Sequence, residues 1–366
     1  KLEVVVATKE KIYNEFSSGK QDITAIRDFV KFLYDQNPSK VKYLLLLGDA
    51  SYDFKRRSQV VNDEVKNIYI PSYQSKESLH PILSYASDDY FGFMEPEEGD
   101  WDENGANTHT LDIGVGRLPA KTRVEAEDVV NKIINYQNTS KIGDWRSTIT
   151  FVADNGDNNL HQNDAEDFSQ LIEQLSPTYR SQKIYLDNYP LLSLAEGQRS
   201  PQAKNTLFQA LQNGSLIVNY NGHGAETGWT EEQILTISDI DQLSNLKTLP
   251  VMLTATCQFG RYDDPNQVSG AELAVLSNKG GAIALLTTTR PVYQSTNYLI
   301  NEAFYKNVFP KATQATQRLG DIVKVTKNAS IVGVVNRNFS FLGDPSLHLL
   351  YPQKDIYIDS TILQNR

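Results

Sequence analysis

At 366 residues the chain is long for one compact domain, and the usual figure of about 150 residues per domain points to roughly two. Hydrophobic residues make up 40% and charged residues 22%, and with 19 Tyr and 14 Phe the chain carries too much apolar surface to stay unfolded in water. Thirty-five basic residues against 45 acidic ones leave a net charge of −10, which argues against a nucleic-acid binder, and the single cysteine, Cys257, excludes an internal disulfide framework and any multi-cysteine metal site.

The first residues, Leu2-Glu3-Val4-Val5-Val6-Ala7, read as a strand. The chain opens into it without Met or a signal segment, so it is expected to be a piece of a longer precursor. Ile23, Ile26, Phe29, Val30 and Leu33 recur at helical spacing, and Val41–Leu47 follows as a buried strand ending at Gly48-Asp49. Residues 95–110 are acidic and glycine-bearing, and read as a hairpin or surface loop. Leu111–Gly116 is a strand, and Glu125–Tyr136 a helix with Ala126, Val129, Val130, Ile133 and Ile134 on one face. Thr148–Ala153 is a strand and Ala165–Leu175 a helix. Leu216–Tyr220 and Val251–Ala255 are strands, Ala271–Ser277 a helix, and Ala282–Leu286 a strand. Such alternation predicts α/β layers around a mostly parallel sheet. The polar stretch at 138–146 divides the chain into expected halves 1–140 and 141–366. The longest apolar runs, Tyr43–Leu47 and Ala282–Leu286, are far short of the about 20 residues of a membrane-spanning helix.

Two strand ends carry distinctive chemistry. One continues into Asn221-Gly222-His223-Gly224, a histidine flanked by glycines that let the backbone turn tightly. The other stops at Thr256-Cys257. Thirty-four residues separate His223 from Cys257, enough for a crossover that sets the two strands side by side. In open α/β sheets, ligands bind beyond the carboxyl ends of the strands. A histidine there can take the thiol proton, and sulfur can then attack a carbonyl. The backbone N–H groups of Gly224 and Cys257 would hold the oxyanion. Each residue alone has a plain structural reading, and that reading suits His80, His109 and His348, the last in an alternating strand. A dead binding module of the same fold is an alternative. A metal hydrolase built on Asp49, Asp88, Asp154 and His161 is another, although its ligands are scattered and no His-Glu-x-x-His helix exists.

The string Val218–Trp229, with Asn221-Gly222-His223-Gly224 at its centre, resembles the histidine motif of the gingipain family of cysteine peptidases. Leu249–Cys257 resembles that family's nucleophile strand. Leu45–Asp49, Ile113–Arg117 and Phe341–Leu347 match in the same order, so the likeness spans nearly the whole chain. Ser87–Gly92, Asp112–Ala120 and Phe151–Asp157 bring the wording closest to the type IX secretion branch of the family. The resemblance implies a caspase-like three-layer fold in two subdomains, with mostly parallel sheets flanked by helices and a Cys257–His223 dyad. It implies removal of a C-terminal signal domain from secreted cargo, together with other components of that secretion system. It also implies transfer of the new carboxyl end to a lipopolysaccharide amine, on the outer face of the outer membrane of a Bacteroidetes-type bacterium. A family acidic residue aligns with Asp154, or one position on with Asn155, as the group orienting His223. Trp229 matches a family tryptophan and is a candidate wall of the cleft, or a core residue. The stretch Asn158–Gln162, with His161 as a candidate substrate contact, lacks the carboxylate that would select a basic P1 side chain. The chemistry requires no cofactor. Structural calcium is implied by family likeness, with Asp49, Asp88 and Asp157 as candidate ligands, although the Asp154–Asn158 loop lacks EF-hand spacing.

Overall fold

The computed structural model describes residues 2–54, 69–101, 108–138, 142–310 and 316–352. Its centre is an eight-stranded sheet. The strands in chain order are β1 (Tyr43–Leu47), β2 (Gly114–Leu118), β3 (Thr148–Ala153), β4 (Arg180–Tyr185), β5 (Ile217–Asn221), β6 (Val251–Ala255), β7 (Ala284–Thr288) and β8 (Phe339–Leu342). Across the sheet the order is β1-β2-β8-β7-β6-β5-β3-β4. Neighbours are parallel except β7 and β8, which run antiparallel.

Helices cover both faces, as a largely parallel sheet requires. Alternate residues of one strand point to opposite sides. On β5, Val218 and Tyr220 join one apolar cluster while Ile217 joins the other. The first cluster takes Leu207 and Leu211 of the helix Pro201–Asn213 and Ala274 and Val275 of the helix Gly270–Leu276. The second takes Phe168 and Ile172 of the helix Leu160–Leu175 and Phe304 and Val308 of the helix Gln294–Val308. A third cluster forms where the helix Ile23–Gln36 meets Tyr85, Phe91 and Trp101. This is the expected α/β three-layer arrangement.

Several expectations need correction. Residues 2–7 form no strand: they are exposed and lie outside the sheet. The strand at Tyr43–Leu47 is an edge strand, with Leu45 and Leu47 exposed, where a continuous apolar run had suggested burial on both faces. In the helix Arg123–Gln137, Val129 is buried but Val130 and Ile134 face solvent. His348 makes only an isolated bridge with Arg318 rather than sitting in a strand. Of the 95–110 loop, Pro96–Gly99 is a short 3-10 turn and Trp101 is buried, packed on Tyr73 and Phe93, while residues 102–107 lie outside the described ones. The division into halves 1–140 and 141–366 stays an expectation; β8 pairs with β2 at Leu342 and Arg117, across it. No helix among the described residues is long and apolar enough to cross a membrane.

Candidate active site

Three parallel strands end level with one another. Ala153 of β3 and Ala255 of β6 both pair with Asn221 of β5. The residues that follow these ends are Asp154, Gly222-His223 and Thr256-Cys257, so the register gathers them at the carboxyl edge of the sheet. The crossover expected from the 34-residue spacing therefore does place the histidine and cysteine strands side by side.

The backbone of His223 is held from both sides. Its N–H donates to Asp154 Oδ2 at 2.9 Å, while its carbonyl accepts from the Thr230 N–H at 2.9 Å and from the Tyr220 hydroxyl. A glycine precedes it for a steric reason: a Cβ on Gly222 would lie 2.4 Å from the Asp154 Cβ and 2.5 Å from the Tyr220 hydroxyl. The imidazole itself is largely exposed. Its Nε2 lies 2.7 Å from Asp157 Oδ2. An ionised carboxylate only accepts, so Nε2 carries a hydrogen, and in the neutral ring the lone pair is on Nδ1. The bond from His223 holds the Asp157 carboxyl below its ordinary range, in keeping with that assignment.

Asp154, the expected orienting group, lies against the backbone of His223. Its oxygens accept from the backbone N–H groups of His223 and of Asn155, at 2.9 Å each, and the ring is met by Asp157. Burial pushes the Asp154 carboxyl up to about 6, against the pull of those two donors. Asp157 reaches the ring because Asp157, Asn158 and Asn159 take positive φ of 45°, 54° and 64°, coiling the chain back before the helix Leu160–Leu175 begins. Asp and Asn tolerate that left-handed region better than other L-residues.

Cys257 is partly exposed. The chain around it is fixed by the Thr288 hydroxyl, which donates to the Thr256 carbonyl, and by Gln258 at φ 58°. The helix Gln294–Val308 supports both strands from behind: Asn297 Nδ2 donates to the Ala255 carbonyl of β6, and Asn301 Oδ1 accepts from Asn219 of β5 at 2.5 Å. The Gly270 N–H donates to the Glu226 carbonyl, tying the histidine loop to the helix Gly270–Leu276. Gly224, the other oxyanion candidate, pairs with Trp229 in a short hairpin, and a Cβ on it would meet Thr256 Oγ1 at 2.5 Å. The histidine and cysteine loops are therefore in direct contact.

Trp229 is fully buried, stacked on Tyr220 with ring centroids 4.3 Å apart. It is a core residue beneath the histidine loop, not a cleft wall. His161, on the first turn of Leu160–Leu175, meets the His223 ring edge to face at 5.3 Å, and burial lowers its pKa first, with His223 adding to the shift.

The carboxylates named for calcium do not form a common cage. Both Asp88 oxygens accept from Arg117 at 2.7 Å. Asp49, fully buried, lies 3.4 Å from the Lys121 ammonium, and Asp157 is bonded to His223. Among the described residues, the side chains close enough to share an ion are Asp157, His161 and His223.

The fold has relatives. Two curated Porphyromonas gingivalis proteins, gingipain R2 and gingipain R1, are each 22% identical over 248 residues, 65% of this chain. The chain spans about a quarter of the length of these relatives, 27% and 20%. The structure of the Arg-specific cysteine proteinase gingipain R (RgpB) superimposes with a TM-score of 0.67 at 19% identity, covering 92% of this chain and 70% of that one. Dimeric latent PorU from Porphyromonas gingivalis matches with a TM-score of 0.45 at 20% identity, over 96% of this chain and 28% of that one. The model of peptidase family C25 matches residues 1–350, and the chain belongs to that family.

Proposed function

We propose that this chain is the catalytic region of a cysteine peptidase that removes the C-terminal signal domain from type IX secretion cargo. The observation that carries the reading is the shared strand end, where β5 delivers His223 and its neighbour β6 delivers Cys257. His223 Nδ1 takes the Cys257 proton, and the sulfur attacks the scissile carbonyl carbon. The backbone N–H groups of Gly224 and Cys257 receive the oxyanion. As the intermediate collapses, the C–N bond breaks and the imidazolium gives its proton to the leaving amine, leaving a thioester. Asp157 holds the ring in the Nδ1-basic tautomer throughout, the part usually played by the third member of a triad. Asp154 positions the same histidine through its backbone.

The thioester has two fates. Water yields a free carboxylate, and a lipopolysaccharide amine yields an amide with Cys257 released as the thiol. The type IX wording of Ser87–Gly92 and Phe151–Asp157 supports the signal-peptidase reading, and with it cargo carrying such signals, companion secretion components and the outer face of the outer membrane. The test is Cys257→Ala in the full-length protein, with cargo C-termini read by mass spectrometry. Cargo should keep its signal domain in the variant and lose it in the wild type. A free carboxylate on processed cargo identifies hydrolysis, and an attached sugar-lipid identifies transfer. Normal processing by the variant would overturn the assignment and favour a catalytically silent binding module.

A further inference from the structure

The proposed mechanism uses Asp157 and His223 but leaves one neighbour unexplained. His161 Nε2 is buried and makes no hydrogen bond. It lies 3.2 Å from Asp157 Oδ2, near enough for an ionic contact but outside hydrogen-bond geometry. The same oxygen lies 2.7 Å from His223 Nε2. All three donor atoms fall within 4.8 Å of one another. Asp157 precedes the helix Leu160–Leu175, and the left-handed turn through Asn159 brings its carboxylate back to His161 on the first turn of that helix. His223 arrives from the opposite loop on an exposed, rotatable side chain.

Two imidazole nitrogens and one carboxylate oxygen form a donor set for zinc and its neighbours among the divalent transition metals, whereas calcium prefers oxygen alone. A tetrahedral zinc holds such atoms at about 2.0–2.1 Å, which places them roughly 3.3 Å from each other. The His161 contact with Asp157 Oδ2, at 3.2 Å, is already at that separation, and the His223 contact, at 2.7 Å, would lengthen to reach it. Rotation of the exposed His223 ring would bring the imidazole pair into line, and a water would fill the fourth position.

We propose that Asp157, His161 and His223 form a zinc-binding site that holds the peptidase inactive. The inhibitory half rests on the proposed function, and the binding half does not. A ring bound to metal through Nε2 carries its one hydrogen on Nδ1. No lone pair then remains for the Cys257 proton, so the thiol stays uncharged by this route. Zinc also takes Asp157 away from its task of orienting the ring. The cation is a reversible brake on the dyad.

The experiment titrates zinc chloride calorimetrically into chelator-stripped Cys257→Ala protein, which removes the thiol as a ligand and needs no turnover. One zinc per chain is expected, with affinity falling at least tenfold in Cys257→Ala/His161→Ala. The double variant with His161→Gln serves if alanine disturbs the helix, and circular dichroism checks both. In the wild type, zinc should stop cargo processing and a chelator should restore it. Absence of one-to-one binding, or equal affinity after loss of His161, would overturn the site. Tight binding without inhibition of an active wild type would overturn the brake. Binding that depends on His161 in a chain that never processes cargo would uphold the site while overturning the peptidase reading.

Discussion

His223 is held at two levels, backbone and ring. Asp154, Thr230 and Tyr220 hold its backbone, and Asp157 holds its ring. These tasks predict different consequences of mutation. Asp157→Asn presents an amide that can offer either an acceptor or a competing donor to Nε2, so the tautomer is no longer imposed. We expect kcat for peptide cleavage to fall at least about tenfold with KM little changed and the fold intact. Steady-state kinetics beside circular dichroism would check this, and unchanged kcat would remove Asp157 from the mechanism. The sequence made the cysteine and histidine legible because each follows an apolar strand, and glycines flank the histidine. The family likeness pointed to Asp154, or one position on to Asn155, for the third group. Asp157 was legible only as a possible oxygen ligand, since nothing in Asp-Asn-Asn announces three successive left-handed residues that return the chain toward the ring.

At the scale of elements, the short motifs that carry the family likeness are mostly structural. Arg117, at the end of β2, is fully buried, and it donates to both Asp88 oxygens and to the carbonyls of Gly48 and Ile70 at 2.8 and 2.9 Å. Asp89 lies 2.6 Å from Lys327 and 3.2 Å from Arg337. These pairs tie the Asp88–Gly92 turn to the sheet and to the helix Leu319–Ala329. Gly116, in the same motif, leaves room for a crossing backbone, since a Cβ there would lie 2.4 Å from the Gly343 carbonyl oxygen. Removing one partner strands a buried charge, so Arg117→Ala should cost about 3–5 kcal/mol. Urea denaturation would measure it, and a loss below about 1 kcal/mol would show that the ion pair does not anchor this turn. Parallel strands β3, β5 and β6 were readable from β-branched and apolar runs, with β3 and β6 matching residue for residue. The antiparallel β8 was not read, because Phe339-Ser340-Phe341-Leu342 is short and follows polar Asn336-Arg337-Asn338. The amino-terminal Val4-Val5-Val6 run shows the opposite failure: strong strand propensity alone forms no ladder, and the run lies exposed outside the sheet.

Over the whole molecule, the fold class and the location of the site followed from alternating β and α patterns, because a parallel sheet gathers its strand ends on one edge. One sheet takes strands from both expected halves, since β8 comes from the carboxyl-terminal part of the chain yet sits between β2 and β7. The overall acidity sets no site. It is the lone cysteine that makes the central claim measurable, because every covalent thiol label on this chain reports Cys257. The most direct measurement is the rate of iodoacetamide labelling of the metal-free protein at about pH 6–7, followed by intact mass, beside free cysteine and the His223→Ala variant. The dyad predicts that the wild type reacts faster than free cysteine and that His223→Ala loses this advantage. Wild-type labelling no faster than free cysteine, unaltered by His223→Ala, would contradict it.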